Sequence, residues 1–151
     1  MPHFGLMTPE NMTEDESVFI RARLHIRGAK RRLREGKVSL GFVTLYDALI
    51  SGMRYWVLSP DLKNHIKVKD LDDITDDVNL FQILKRSNVI NDPISLSDFK
   101  LIQNIMEEAL TKELKLNQIE KYLEKFKMIM LQLKILPFNE LDLPPEDPNT
   151  Y

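Results

Sequence analysis

The sequence predicts an all-α fold, a five-helix up-and-down bundle, on three observations. Apolar residues recur at spacings of three and four through most of the chain. No run alternates apolar and polar residues between turn signals, so no strand is expected. Helix stop signals, Gly36, Pro60, Pro93 and Pro137, fall between the periodic stretches.

The first helix is expected to start at Thr13, where Thr13-x-x-Glu16 has the form of a capping box and Glu14, Asp15 and Glu16 complement the helix dipole. Val18, Ala22, Ile26, Ala29 and Leu33 make its apolar stripe. Gly36 is placed to end it in the left-handed region after Arg31, Arg32 and Arg34. The connection Gly36-Lys37-Val38 is short enough to fold the next helix back against the first.

The second helix lies in the run Val38–Leu58, expected to start behind Ser39 as N-cap and to reach about Leu58, with Ser59-Pro60 as the stop. It is the most apolar run of the chain and holds the only tryptophan, Trp56. Asp47 and Arg54 interrupt it, which favours a core helix over a membrane span. Gly41, Ala48 and Gly52 allow another helix to approach closely.

A polar connector, 61–77, leads to a third helix over Asp77–Ser87 with Leu80, Phe81 and Leu84 inward. Ser97 is the expected cap of a fourth helix, Asp98–Leu114, that buries Ile102, Ile105, Met106 and Ala109. Asn117 is the expected cap of a fifth, Gln118–Leu136, with Ile119, Tyr122, Leu123, Phe126, Met130 and Leu133 as its stripe. The two could also form one long bent helix, since 112–115 holds neither glycine nor proline. The domain is thus expected at 13–136, between a flexible arm at 1–12, where Phe4, Leu6 and Met7 could dock on a neighbour, and an extended or disordered acidic, proline-rich tail at 137–151.

At 151 residues the chain is long enough for one domain with a substantial core. The absence of cysteine excludes disulfides and thiolate metal sites and fits a reducing compartment. No signal-peptide layout appears at the N-terminus, and a cytoplasmic protein is expected. His3, His25 and His65 lie at no ligand spacing, the aspartates of 70–77 lack the glycine and terminal glutamate of a calcium loop, and no phosphate loop or nucleophile motif is present. Neither a metal nor a cofactor is expected, and no catalytic residue is assigned.

Charge is the strongest functional signal. Arg21 to Lys37 carries eight basic residues and one acid in a chain of net charge −2, so the remainder sums to −9. Arg23, Arg27, Lys30 and Arg34 recur at 4, 3 and 4, one stripe on a face apart from the apolar one. With Arg31 they form a candidate site for phosphate or nucleic acid, whose affinity would fall with salt. The same cations could instead pair with the protein's own acids or with an acidic partner. The second helix carries a thin polar line, Thr44, Asp47, Ser51 and Arg54. With Tyr55, or Tyr46, it could wall a polar pocket beside the basic helix. It could equally be an outward face in which an arginine of the first helix neutralises Asp47.

Three stretches, RGAKRRLREGKVSLGFVTLYDALISGMRYWV, DDVNLFQILKRSNVI and LNQIEKYLEKFKMIMLQLKIL, resemble the opening hairpin, the short third-helix segment and the closing helix of the HEPN superfamily of helical bundles. The resemblance rests on hydrophobic layout over about residues 17 to 136. It implies a homodimer that binds RNA or nucleotide, or that accompanies a minimal nucleotidyltransferase in a toxin–antitoxin system. The family's nucleases carry an arginine followed, after four to six residues, by a histidine. No arginine here meets that spacing, so a non-nucleolytic module is implied. The second class left open is a protein-interaction bundle whose basic stripe meets an acidic partner.

Overall fold

The computed structural model describes residues 12–145. The arm at 1–12, but for Met12, and the end of the tail, 146–151, lie outside the described residues. The described residues form five α-helices, α1 (Glu14–Arg34), α2 (Val38–Leu58), α3 (Asp77–Arg86), α4 (Leu96–Ala109) and α5 (Leu116–Gln132), with single 3-10 turns at Lys63–His65 and Glu140–Asp142. No strand occurs among the described residues.

The core is built around α2, thirteen of whose residues are buried. Gly41 lies against Leu33 and Ala29, Thr44 against Gly28 and Arg32, and Tyr55 against Phe19, so α2 runs antiparallel to α1. Tyr46 meets Phe99 and Gln103 while Ser39 meets Lys112 and Leu114, which sets α4 antiparallel to α2. Phe42 packs edge-on against Phe126, ring centroids 5.3 Å apart, and the Trp56 indole donates to the Leu133 carbonyl at 2.9 Å, so α5 runs parallel to α2. The four longer helices therefore alternate in direction. The short α3 joins them through Phe81, stacked on Phe99 at 4.7 Å. Fully buried side chains such as Phe42, Leu49, Phe81 and Ile102 each contribute about 1.5–3 kcal/mol by leaving water.

The small residues of α2 are needed where expected. A Cβ at Gly41 would lie 2.8 Å from the Leu33 side chain, and one at Gly52 would lie 3.1 Å from Ile135. α1 ends as expected: Gly36 has φ +80, with Gly36 N–H donating to Leu33 and Lys37 N–H to Arg32. α3 and α5 end the same way, but with Asn88 (φ 61) and Lys134 (φ 65) in the left-handed position.

The helix starts depart from expectation more often. Thr13 occupies the N-cap of α1, but its hydroxyl donates to Glu16 Oε1 at 2.7 Å and accepts no backbone N–H of the helix. Ser39 is not a cap. It lies inside α2, donating to the Lys112 carbonyl and accepting from Leu114 N–H, both at 2.7 Å. The N-terminus of α2 is capped from another element, by Glu113 Oε2 at 3.0 Å from Val38 N. Ser95, not Ser97, caps α4, since Asp98 stands at its third helical position and closes a capping box, whereas Ser97 would face Lys100 there.

α4 stops at Ala109 and α5 starts at Leu116, so the two are separate. The connection 110–115 is held by Ser39 and Glu113 and by burial of Leu114. At the start of α5 the Gln118 side chain reaches back to Lys115 N–H at 2.8 Å, in place of the Asn117–Glu120 cap. α5 ends at Gln132, short of Leu136, because the turn at Lys134 delivers Leu133 and Ile135 onto Gly52.

The tail corrects the expectation of an extended or disordered segment as far as residue 145. Phe138 packs on the core, Leu143 is buried, and the intervening residues form the second 3-10 turn. No helix of the described residues is long and apolar enough to cross a membrane.

Candidate functional site: the basic helix and its neighbours

The basic residues of α1 divide by face. Arg23 Nε donates to the Ile135 carbonyl at 3.0 Å, and its guanidinium lies 4.2 Å over the Phe19 ring and 5.2 Å from that of Phe138. Burial pushes Arg23 below its usual value, and Asp142 and Tyr55 act against that shift. Arg27 Nη1 donates to the Pro144 carbonyl at 2.7 Å. These two members of the expected phosphate stripe therefore hold the C-terminal segment along α1. That segment is acidic, and main-chain oxygens of Ile135 and Pro144 accept from these two guanidinium groups.

The other three members lie toward the C-terminal end of the helix. Lys30 and Arg34 are exposed, and Arg31 Nη1 is 3.4 Å from Glu35 Oε1. Lys37, also exposed, stands 3.5 Å from the same carboxylate oxygen. Lys30 borders an apolar groove of about 330 Å³ between α1 and α5, with Lys127 at its other edge.

The polar line of α2 is not one pocket wall. Thr44 and Ser51 are buried, Asp47 and Arg54 are exposed, and Tyr55 is half-buried with its ring 4.8 Å from Phe19. An arginine of α1 does reach this line, but it is Arg32 and it meets Thr44, not Asp47: Arg32 Nη1 donates to Thr44 Oγ1 at 3.2 Å. Thr44 in turn donates to the Leu40 carbonyl at 2.7 Å. Gly28 makes room for that guanidinium, since a Cβ there would lie 3.1 Å from Arg32 Nη1. His25 lies on the same face of α1. Burial, then the charges of Arg21 and Arg32, push it down to about 4, so it is neutral at physiological pH.

Arg21, His25, Gly28 and Arg32 were not expected to matter, although a signal existed. They recur at 4, 3 and 4, matching the spacing of Thr44, Asp47 and Ser51 on the antiparallel partner helix. A second unexpected cluster joins three helices: Tyr46 donates to Asp77 Oδ2 at 2.8 Å and accepts from Gln103 Nε2 at 3.0 Å. Burial pushes the Tyr46 hydroxyl up, so it stays a neutral phenol that ties α2 to α3 and α4.

The buried hydroxyls of Ser39 and Thr44 are engaged in these structural bonds. Among the described residues no group of three or more histidine, aspartate or glutamate side chains is placed to hold a metal ion. What the arrangement offers chemically is a fixed set of cations on α1, some gripping the chain's own carbonyls and some facing solvent. Comparison with family models, with curated proteins and with solved structures gives no match for this chain.

Proposed function

We propose that this chain is a non-catalytic, HEPN-like helical module of the cytoplasm that binds the phosphate groups of a nucleotide or RNA through the C-terminal half of α1. The observation that carries this reading is the exposure of Lys30 and Arg34 beside Arg31, within a helix far more basic than the rest of the chain. Arg23 and Arg27, which the charge pattern alone would add, are engaged with the C-terminal segment and contribute long-range field rather than direct contacts. The HEPN-like reading carries with it a toxin–antitoxin or nucleotidyltransferase setting.

The test is fluorescence anisotropy with a single-stranded RNA oligonucleotide and with a labelled nucleotide at rising salt. Two phosphate contacts, from the exposed Lys30 and Arg34, give a slope of about −1.4 in log K against log salt for a single strand. The double variant Lys30→Glu/Arg34→Glu should abolish binding while leaving the helical signal intact. No binding of either probe at low salt would sink the proposal.

A second reading, an interaction bundle for an acidic protein partner, is favoured by one observation. α1 already holds an acidic segment, the chain's own residues 135–145, in place. On that reading α1 binds acidic peptides and not RNA.

A further inference from the structure

The resemblance to HEPN bundles implies a homodimer, yet most of the apolar surface of α2 lies inside the protein's own core. Any contact between copies needs another apolar surface. Two complementary ones are present.

The first is the loop between the 3-10 turn at Lys63–His65 and α3. Leu71 is 99% exposed, Val68 49% and Ile74 40%, and Asp70, Asp72 and Asp73 lie among them. This loop is held in shape. Lys67 N–H donates to Ser87 Oγ at 2.7 Å, Lys69 N–H donates to Asp72 Oδ2 at 2.6 Å, and Arg86 grips both Asp72 and the Lys67 carbonyl. Thr75 bonds Asp73 through its N–H and hydroxyl, which holds that carboxyl below the usual range. A fixed loop that presents a leucine wholly to water between carboxylates has no role in its own core.

The second surface is the groove between α1 and α5. Ile26, Leu45, Phe126 and Met130 line it, and the exposed Lys30 and Lys127 stand at its edges. Its volume, about 330 Å³, admits more than one aliphatic side chain. Apolar floor matches apolar tip, and the flanking ammonium groups match the exposed carboxylates of Asp70 and Asp73 on either side of Leu71, since Asp72 is already paired with Arg86 and Lys67 and Lys69 stand back beside Val68.

We propose that this groove receives the Leu71 loop of a second copy of the chain, in a reciprocal exchange that closes a twofold dimer. Each copy contributes one loop and one groove, so the contact is isologous. The preformed loop keeps the ordering cost of association low. The proposal does not rest on phosphate binding. Leu71 is remote in sequence from the cations of α1, so a variant there separates the two readings.

The experiment is sedimentation velocity over a concentration series with the full chain. Leu71→Asp should weaken association by about a hundredfold or more, the loss of two leucines' burial in each reciprocal dimer. Lys30→Glu/Lys127→Glu should also weaken it, and combining that pair with Asp70→Lys, which leaves the Asp73–Thr75 bonds of the loop intact, should recover association. These side chains are exposed, so the variants keep the fold, and circular dichroism checks this. A wild-type chain that stays monomeric at high micromolar concentration overturns the proposal. So does an association that survives Leu71→Asp but is lost with Leu40→Asp, which would assign the interface to the outer face of α2. Failure of the charge swap to restore association, with both parents impaired, would likewise overturn the loop–groove pairing.

Discussion

Replacing Arg27 by alanine isolates the grip of α1 on the C-terminal segment. The Arg27 guanidinium donates to the Pro144 carbonyl at 2.7 Å in a partly buried setting. A hydrogen bond from a charged donor contributes about 1.5–3 kcal/mol net, and partial exposure favours the lower end. A loss of about 1.5 kcal/mol raises the opening equilibrium of the segment about tenfold. The amides that report it are Asp142 and Leu143, which donate within the 3-10 turn at 2.9 and 3.1 Å. Hydrogen exchange read by mass spectrometry should therefore show residues 138–145 exchanging about tenfold faster in Arg27→Ala, with the peptides of α2 unchanged. Arg27→Lys, which keeps the charge on a differently shaped donor, should fall between, and Arg34→Ala should match wild type. Equal exchange of 138–145 in wild type and Arg27→Ala would refute the assignment of Arg27 as a clamp.

Three further outcomes follow from the same geometry. Glu113→Ala removes the cap of α2 and should cost about 1–2 kcal/mol, a fall in melting temperature of about 2–8 °C; Glu113→Gln, which keeps an acceptor, should cost less, and an unchanged melting temperature in the alanine variant would rule the cap out. Lys134→Gly relieves a left-handed residue (φ 65) that is exposed, and should stabilise the chain by about 0.5–1 kcal/mol net of the entropy of glycine, whereas a lower midpoint in urea would contradict this. His25 titrates at about 4 in the folded chain, below its unfolded value, so the unfolded state binds more protons between the two. Its contribution is complete above the unfolded value and fades as pH falls toward the folded one, a loss of about 2 kcal/mol from pH 7 to pH 5 that His25→Gln should not show in denaturant titrations.

How far the chain could be read without coordinates depended on the range of the interaction involved. Helix α1 was legible almost to the residue, because its acidic first turn, its apolar stripe and Gly36 act within a few positions of one another. α3 was equally legible from Leu80, Phe81 and Leu84, although its cap, Asp76, whose Oδ2 accepts from Asn79 N–H at 2.9 Å, was not read. The candidate site was legible only as a composition. That α1 is a basic helix follows from its residues. Which of its cations face solvent does not, because the answer lies with the carbonyls of Ile135 and Pro144, more than a hundred positions away.

The sequence by itself determined the all-α class, the helical stretches up to the join of α4 and α5, the core role of α2 and the charge of α1. These rest on periodicity, on cap and stop residues and on charge count, all of which act locally along the chain. Only the tertiary structure decided the rest. It took Ser39 away from a cap and gave the cap to Glu113, split α4 from α5, and folded part of the acidic tail onto Arg23 and Arg27. It also divided the polar line of α2 into buried Thr44 and Ser51 and exposed Asp47 and Arg54. Ser39, Thr44, Arg23 and the first amide of α2 are each drawn at least partly out of water, and each finds a partner on another element brought close by packing.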